Sequence, residues 1–239
     1  HKKGGLSQKA KLLYQTILSD FVLFCIYRLY PTEYATSTQV LFFKNVFLEL
    51  GVFYLLLVIF VFVGTTNAVN LTDGLDGLAA GASLPPMAVM LVVAYVTGHR
   101  ILSNYLNILY IPGIGELSVF AGALIGALTG FLWFNSYPAE VFMGDTGSQA
   151  LGGSLGILAI LTKQELLLAV AGGLLVIEAL SVILQVAYFR STGGKRIFKK
   201  APLHHHFEEK GWAEPKIVVR FWIISLVFAI IAISTLKIR

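Results

Sequence analysis

Apolar residues run in long stretches along this chain, and polar residues collect in short bands between them. A helix that crosses a bilayer needs about 20 mostly apolar residues. Stretches near that length lie at about 12–30, 46–66, 77–97, 116–134, 148–162, 166–190 and 217–236. The fifth, SQALGGSLGILAILT, is short and glycine-rich. The pattern predicts an all-α, polytopic helical membrane protein with about seven transmembrane helices, forming one membrane domain over residues 1–239. No internal repeat and no low-complexity linker interrupts it.

The polar bands differ in charge. Lys2, Lys3, Lys9 and Lys11 precede the first span. Lys195, Arg196, Lys199, Lys200 and Lys210 follow the sixth, flanked by Arg190 and Lys216. Lys44, Arg100 and Lys163 stand singly in the loops between. Six spans separate the two basic bands, so both lie on one side, and the preference of Lys and Arg for the inside makes that side cytoplasmic. Lys237 and Arg239 then fall outside, a small exception to a larger signal. By the same parity NAVNLTDGLDG, FNSYPAEVFMGDTG and RSTGGKRIFKKAPLHHHFEEKGW all face the cytoplasm. Outer loops such as PTEYATSTQVLFFKN carry no comparable cluster.

Composition sharpens this picture. The chain is 56% hydrophobic and only 13% charged, where soluble domains carry about 25% charged residues. Mean hydropathy is +0.77. The net charge of +5 sits in bands on a chain with little polar face, which argues against a nucleic-acid partner. A single cysteine, Cys25, excludes a disulfide framework and a cysteine metal site. HKKGGLSQKAK lacks the apolar core of a signal peptide, and from the absence of an initial methionine the chain is expected to be a fragment or processed piece.

The three cytoplasmic loops hold the candidate chemistry. Asn67, Asn70, Asp73 and Asp76 recur at every third place, so neighbours in the series are adjacent on a helix surface. Two acids and two amides suit a cation or a sugar or base; the plainer reading is that an aspartate caps the third span. Asp145 lies between glycines before the fifth span, where a hard cation such as Mg²⁺ can take one carboxylate and leave room for phosphate oxygens. An N-cap by Asp145, Thr146 or Ser148 is the alternative. Phe142 can stack on a base or pack at the lipid interface. His204, His205 and His206 stand beside the basic run, a combination that suits a diphosphate. Neighbouring side chains on a helix diverge by ~100°, so the three rings serve different partners. Together the loops point to metal-assisted phosphoryl transfer from a soluble donor to a lipid acceptor. Glu178 and Gln185, polar groups inside the sixth span, keep a secondary transporter in view as a rival, and a scaffold without catalysis is a third reading.

NAVNLTDGLDGLA, FNSYPAEVFMGDTGSQALGG and KAPLHHHFEEKGW closely resemble the motifs of the phospho-N-acetylmuramoyl-pentapeptide transferases, a branch of the polyprenyl-phosphate N-acetylhexosamine-1-phosphate transferase superfamily. The resemblance covers essentially the whole chain. It implies an Mg²⁺-dependent membrane enzyme that moves phospho-MurNAc-pentapeptide from UDP-MurNAc-pentapeptide to undecaprenyl phosphate, giving lipid I and UMP in peptidoglycan synthesis. It implies a bacterial inner-membrane location, a cytoplasmic active-site cleft and a homodimer. A relative using UDP-N-acetylglucosamine is the runner-up. Residue by residue, Asp145 is similar to the family's metal-binding aspartate and Asp73 to a second essential acid. Gly74, Leu75, Asp76 and Phe142 match the uridine pocket, and Asn67, Asn70, Asn135, Gln185, Ala201 and His205 match positions at the substrate cleft. His204 and His206 complete a histidine motif with a structural and phosphate-directed role. The family carries an Asp-Asp pair just before the segment at which this chain begins, and the complete family fold has ten transmembrane helices, so about seven here corresponds to its C-terminal two-thirds.

Overall fold

The structure, a computed structural model, describes residues 7–43 and 46–238. Lys2, Lys3, Lys44 and Arg239 of the charge pattern lie outside the described residues. In chain order it comprises α1 (Gln8–Leu29), α2 (Thr32–Ala35), a hairpin of β1 (Ser37–Gln39) and β2 (Phe47–Glu49), α3 (Tyr54–Thr72), α4 (Leu78–Gly98), α5 (Arg100–Leu106), α6 (Leu117–Asn135), α7 (Gly144–Leu161), α8 (Glu165–Ala171), α9 (Gly173–Ser191), α10 (Leu203–Glu208) and α11 (Glu214–Ile238). Short turns of 3₁₀ helix lead into α3 and α6.

Among the described residues, six helical segments are long and apolar enough to cross a membrane: Gln8–Arg28, Gly51–Thr72, Leu78–Gly98, Ile114–Asn135, Gly173–Ser191 and Glu214–Lys237. The expected span at 148–162 is also helical, as α7, but Asp145, Thr146, Ser148 and Gln149 make its first turns polar and it is not among the six. The apolar run at 166–190 divides into α8 and α9 at Gly172, where Phe228 packs so closely on Gly173 that a Cβ there would lie 2.5 Å from the ring. The small antiparallel hairpin, with Ser37 opposite Glu49, departs from an all-helical chain; its three-residue strands are too short to leave an alternation in the sequence.

α4 is the central helix and packs against α6, α7 and α11. Its face of Ala80, Met87, Met90 and Val93 is fully buried and joins Leu155 and Leu158 of α7 in the main core. Trp222 of α11 lies over Gly81 and donates from Nε1 to the Gly77 carbonyl at 3.2 Å. These contacts hold the start of α4 beside α11.

α3 and α7 approach most closely, and glycine makes this possible. A Cβ on Gly152 would stand 2.4 Å from the Thr65 carbonyl oxygen, and one on Gly156, a turn later, 2.6 Å from Thr65 Oγ1. Small residues one turn apart let membrane helices bring their backbones together. The same approach sets Asn70 of α3 against the first turn of α7. Gly152→Ala is therefore expected to push the two helices apart at a cost of about 1–3 kcal/mol, measured as a lower unfolding temperature in detergent.

At the other end of the bundle the structure corrects the expectation of chemically plain loops. Lys163 is completely buried, and its ammonium donates to the Ala35 carbonyl at 2.9 Å and to the Tyr54 hydroxyl at 2.8 Å. Glu165 accepts from Tyr54 at 2.5 Å and from Thr38 at 2.7 Å. Burial lowers the Lys163 ammonium to a pKa of about 8, against the opposing pull of Glu165. This network fastens the hairpin and α2 to the α7–α8 corner. Glu165→Ala leaves the buried Tyr54 and Thr38 hydroxyls without their acceptor and the buried Lys163 without its compensating charge, and is expected to cost about 3–5 kcal/mol, again read from thermal unfolding.

Candidate active site

The loops after α3, α6 and α9 meet at one end of the bundle. Asp76 joins the first to the second: its Oδ2 accepts the Ala139 N–H at 2.9 Å, while its own N–H donates to Glu214 of α11 at 2.8 Å. His204 joins the third loop to the first, since its Nε2 would lie 2.3 Å from a Cβ on Gly74. The aspartates do not cap α4. Its N-cap is Gly77, with φ +73° and no side-chain bond, and Asp73 instead ends α3. Likewise α7 starts at an uncapped Met143, with Asp145 in its first turn. An acid there is favoured by the helix dipole and leaves both oxygens facing the site.

Asp145 is the centre of a polar cluster. Its side chain is 63% exposed and pairs with the Lys11 ammonium of α1. Asn70 Nδ2 donates to Asp145 Oδ1 at 3.1 Å and to Ser148 Oγ at 2.9 Å. The bond from Lys11, then that from Asn70, hold the Asp145 carboxyl below the usual range. Asp73 shows the opposite shift: burial, then repulsion from Asp145, raises its pKa. Two carboxylates that repel each other beside an exposed oxygen form a place where a cation lowers the energy. Behind this cluster Asn67 donates to Gln15 at 2.9 Å and Gln15 to Gln149 at 3.3 Å, tying α1, α3 and α7 together.

The second loop is pinned by buried Asn135, whose Nδ2 donates to the Val141 carbonyl at 2.8 Å. It presents Phe142, 76% exposed, as a free aromatic face. Leu75 packs with Leu78, Leu174 and Phe221 in an apolar cluster under the first loop.

The histidines lie on α10, and each ring has its own partner, as divergence around a helix requires. His204 is buried against Glu178. His205 Nδ1 pairs with Glu208 at 2.8 Å. His206 Nδ1 accepts the Lys199 N–H at 3.0 Å, and its pKa is lowered by desolvation and then by Lys210 and Lys199. Gln185 Oε1 accepts the N–H groups of Ile197 and Phe198 at 3.1 and 3.0 Å, which shapes the loop that carries the basic run. Gln185 and Ala201 line a cleft of about 310 Å³ with Arg190, Arg196 and Lys200. The lining of that cleft includes none of Asp73, Asn70 and Asp145; α10, through His204 and Gly74, is what connects the two regions.

Several residues of this arrangement carried no mark in the sequence. Lys11 reads there as one of a band of topogenic lysines. Gln15, Gln149 and Glu214 lie in otherwise unexceptional helix turns, and Ser148 reads only as a candidate N-cap. Glu178, by contrast, stands out in the sequence as an acid inside an apolar span.

Residues 3–163 match the model of glycosyl transferase family 4. The chain belongs to glycosyl transferase family 4. Curated relatives include the phospho-N-acetylmuramoyl-pentapeptide-transferase of Desulfosudis oleivorans, 58% identical over 238 residues, which covers 100% of this chain and 66% of that protein. The protein of the same name from Thermodesulfovibrio yellowstonii is 56% identical over 235 residues, 98% of this chain and 65% of the relative. That from Rickettsia massiliae is 55% identical with the same coverage. The chain thus spans about two-thirds or slightly less of the length of these relatives. Membership, with six apolar helices, makes it part of a multi-pass membrane protein.

Proposed function

We propose that the protein containing this chain transfers phospho-MurNAc-pentapeptide from UDP-MurNAc-pentapeptide to undecaprenyl phosphate, releasing UMP and forming lipid I, at the cytoplasmic face of the bacterial inner membrane. The names of the relatives support the reaction. The observation that carries it to this chain is the exposed Asp145 carboxylate, held by Asn70 and Lys11 at the end of the bundle where the three loops meet.

The residues suit Mg²⁺. Asp145 offers hard oxygen donors, exposed at the end of the bundle beside Asp73. Mg²⁺ is commonly bound by one or two carboxylates and by substrate phosphates, so Asp145 would hold it with the donor's diphosphate. Bound there, it supplies positive charge to the transferring phosphoryl group and the leaving UMP. Asn70 fixes the orientation of the carboxylate. Phe142 gives the uracil ring a stacking face, and Arg190, Arg196 and Lys200 draw the anionic donor to the surface. An oxygen of the lipid phosphate attacks the sugar-linked phosphorus, a new P–O bond forms, and the bond to UMP breaks.

An apolar cavity of about 240 Å³ between α3, α8 and α9, lined by Phe60, Val61, Leu168, Val176, Leu180 and Ile183, suits the isoprenoid chain of the acceptor. The rival transporter reading loses its motive, because Glu178 and Gln185 are both engaged within the protein.

Mass analysis of the lipid extract after incubation with donor, acceptor and Mg²⁺ tests the reaction. A diphosphate-linked MurNAc-pentapeptide lipid is the expected product. Its absence, or a monophosphate-linked sugar, overturns the proposal. Phosphorylation of Asp73 or Asp145 after incubation with donor alone would replace direct attack by a phospho-enzyme route.

A further inference from the structure

Glu178 is completely buried in the second turn of α9, where a carboxyl group is costly unless its oxygens are used. Both are used by one residue. Oε1 accepts the backbone N–H of His204 at 3.2 Å, and Oε2 lies 2.9 Å from His204 Nδ1. A carboxylate can only accept, so Nδ1 carries a proton. The neutral imidazole then has its lone pair on Nε2. This atom is buried and has no hydrogen-bond partner among the described residues.

Where that nitrogen points is informative. Gly74 is exposed, yet His204 Nε2 lies directly against it, 2.3 Å from the position a Cβ would take, with Cε1 and Cδ2 at 3.1 and 3.2 Å. Only the missing side chain of Gly74 makes room for the ring. The backbone N–H of Gly74 is committed to the Thr72 carbonyl at 2.9 Å and that of Asp73 to Asn70 at 3.3 Å. The imidazole therefore supports the turn from beneath, and its second nitrogen is the one polar atom of the motif left open toward it.

We propose that Glu178 is a positioning residue of the donor site: by accepting both N–H groups of His204 it fixes the ring in the Nδ1–H form, with Nε2 held against the Asp73–Gly74 turn that receives the nucleotide sugar. The placement of the nucleotide sugar at this turn rests on the function proposed above; the Glu178–His204 arrangement does not. Carboxylate–histidine pairs of this kind fix ring orientation and tautomer wherever a histidine must present one nitrogen. Two consecutive links are involved: α9 to α10 through Glu178, and α10 to the end of α3 through Gly74.

The test uses the complete protein labelled with ¹⁵N-histidine, with the His204 signals assigned as those lost in His204→Asn. The expected spectrum shows a protonated Nδ1 and an unprotonated Nε2. An Nε2–H tautomer overturns the proposal. Glu178→Gln keeps the shape of the side chain but can offer an N–H to Nδ1, and so releases the tautomer. It is expected to raise KM for the UDP-sugar by about tenfold or more and to leave KM for undecaprenyl phosphate unchanged. A purely structural role would lower the active fraction, and hence the apparent kcat, without this split. An unchanged donor KM overturns the proposal. If Glu178→Gln does not fold, the wild-type tautomer decides. If the wild-type protein shows the Nδ1–H form but turns over no UDP-sugar with a polyprenyl phosphate, the functional reading fails and the assignment of the pair stands.

Discussion

Replacing Asp145 by Asn in the complete protein is expected to lower UMP release by roughly 10²–10³-fold or more while leaving the fold intact. The side chain is 63% exposed, and an exposed ion pair such as that with Lys11 contributes about 0–1 kcal/mol to stability. An asparagine oxygen can still accept from Asn70, so the α3–α7 contact survives. What is lost is the negative charge. A hard cation then has no anionic ligand from α7, and the repulsion that raises Asp73 also disappears. The check is a pair of measurements on one preparation, UMP release and thermal unfolding. Near-normal release would remove Asp145 from the chemistry.

Gly74→Ala is expected to disable the site through a single added methyl group. The backbone at Gly74 is not left-handed, so alanine is not opposed by its φ. The obstacle is His204. The new methyl would lie 2.3 Å from Nε2, and the ring cannot retreat because Glu178 holds its other nitrogen and the side chain is wholly enclosed. Overpacking of this kind costs about 1–3 kcal/mol, and relief requires moving the Asp73–Gly74 turn itself. Turnover is expected to fall by more than about tenfold, with a lowered unfolding temperature. The double variant Gly74→Ala/His204→Ala removes the clash but leaves the buried Glu178 Oε2 without its partner, and is expected to regain neither the stability nor the turnover. A single variant with wild-type unfolding and wild-type rate would show that the turn has room the structure does not give it.

The membrane helices were legible because each rests on a continuous apolar run, and most of their ends fall within several residues of the expected positions; the span expected at 46–66 instead begins as β2 and a 3₁₀ turn, with α3 running from Tyr54 to Thr72. Parity of the spans also foretold that the three polar loops share one end, and the Asp76–Ala139 and His204–Gly74 contacts bring them together. Partners far apart in sequence were beyond reach. Lys163 and Glu165 read as ordinary loop residues, since Tyr54 and Thr38, which satisfy them, lie 109 to 127 positions away. Lys11 likewise reads as a topology signal until α1 places it on Asp145. Glu178 announced itself as a costly acid, but nothing in an apolar run says that its two oxygens belong to a histidine 26 residues later. The split between α8 and α9 falls on the Gly172–Gly173 pair, a local breaker inside an apolar run whose length alone reads as one span.

The most direct measurement is UMP release by the complete protein in the presence of Mg²⁺ and undecaprenyl phosphate, with UDP-MurNAc-pentapeptide and UDP-N-acetylglucosamine supplied in separate reactions. Release with the muramoyl donor alone is the predicted result. Release with UDP-N-acetylglucosamine alone, or with neither donor, would contradict the proposed function.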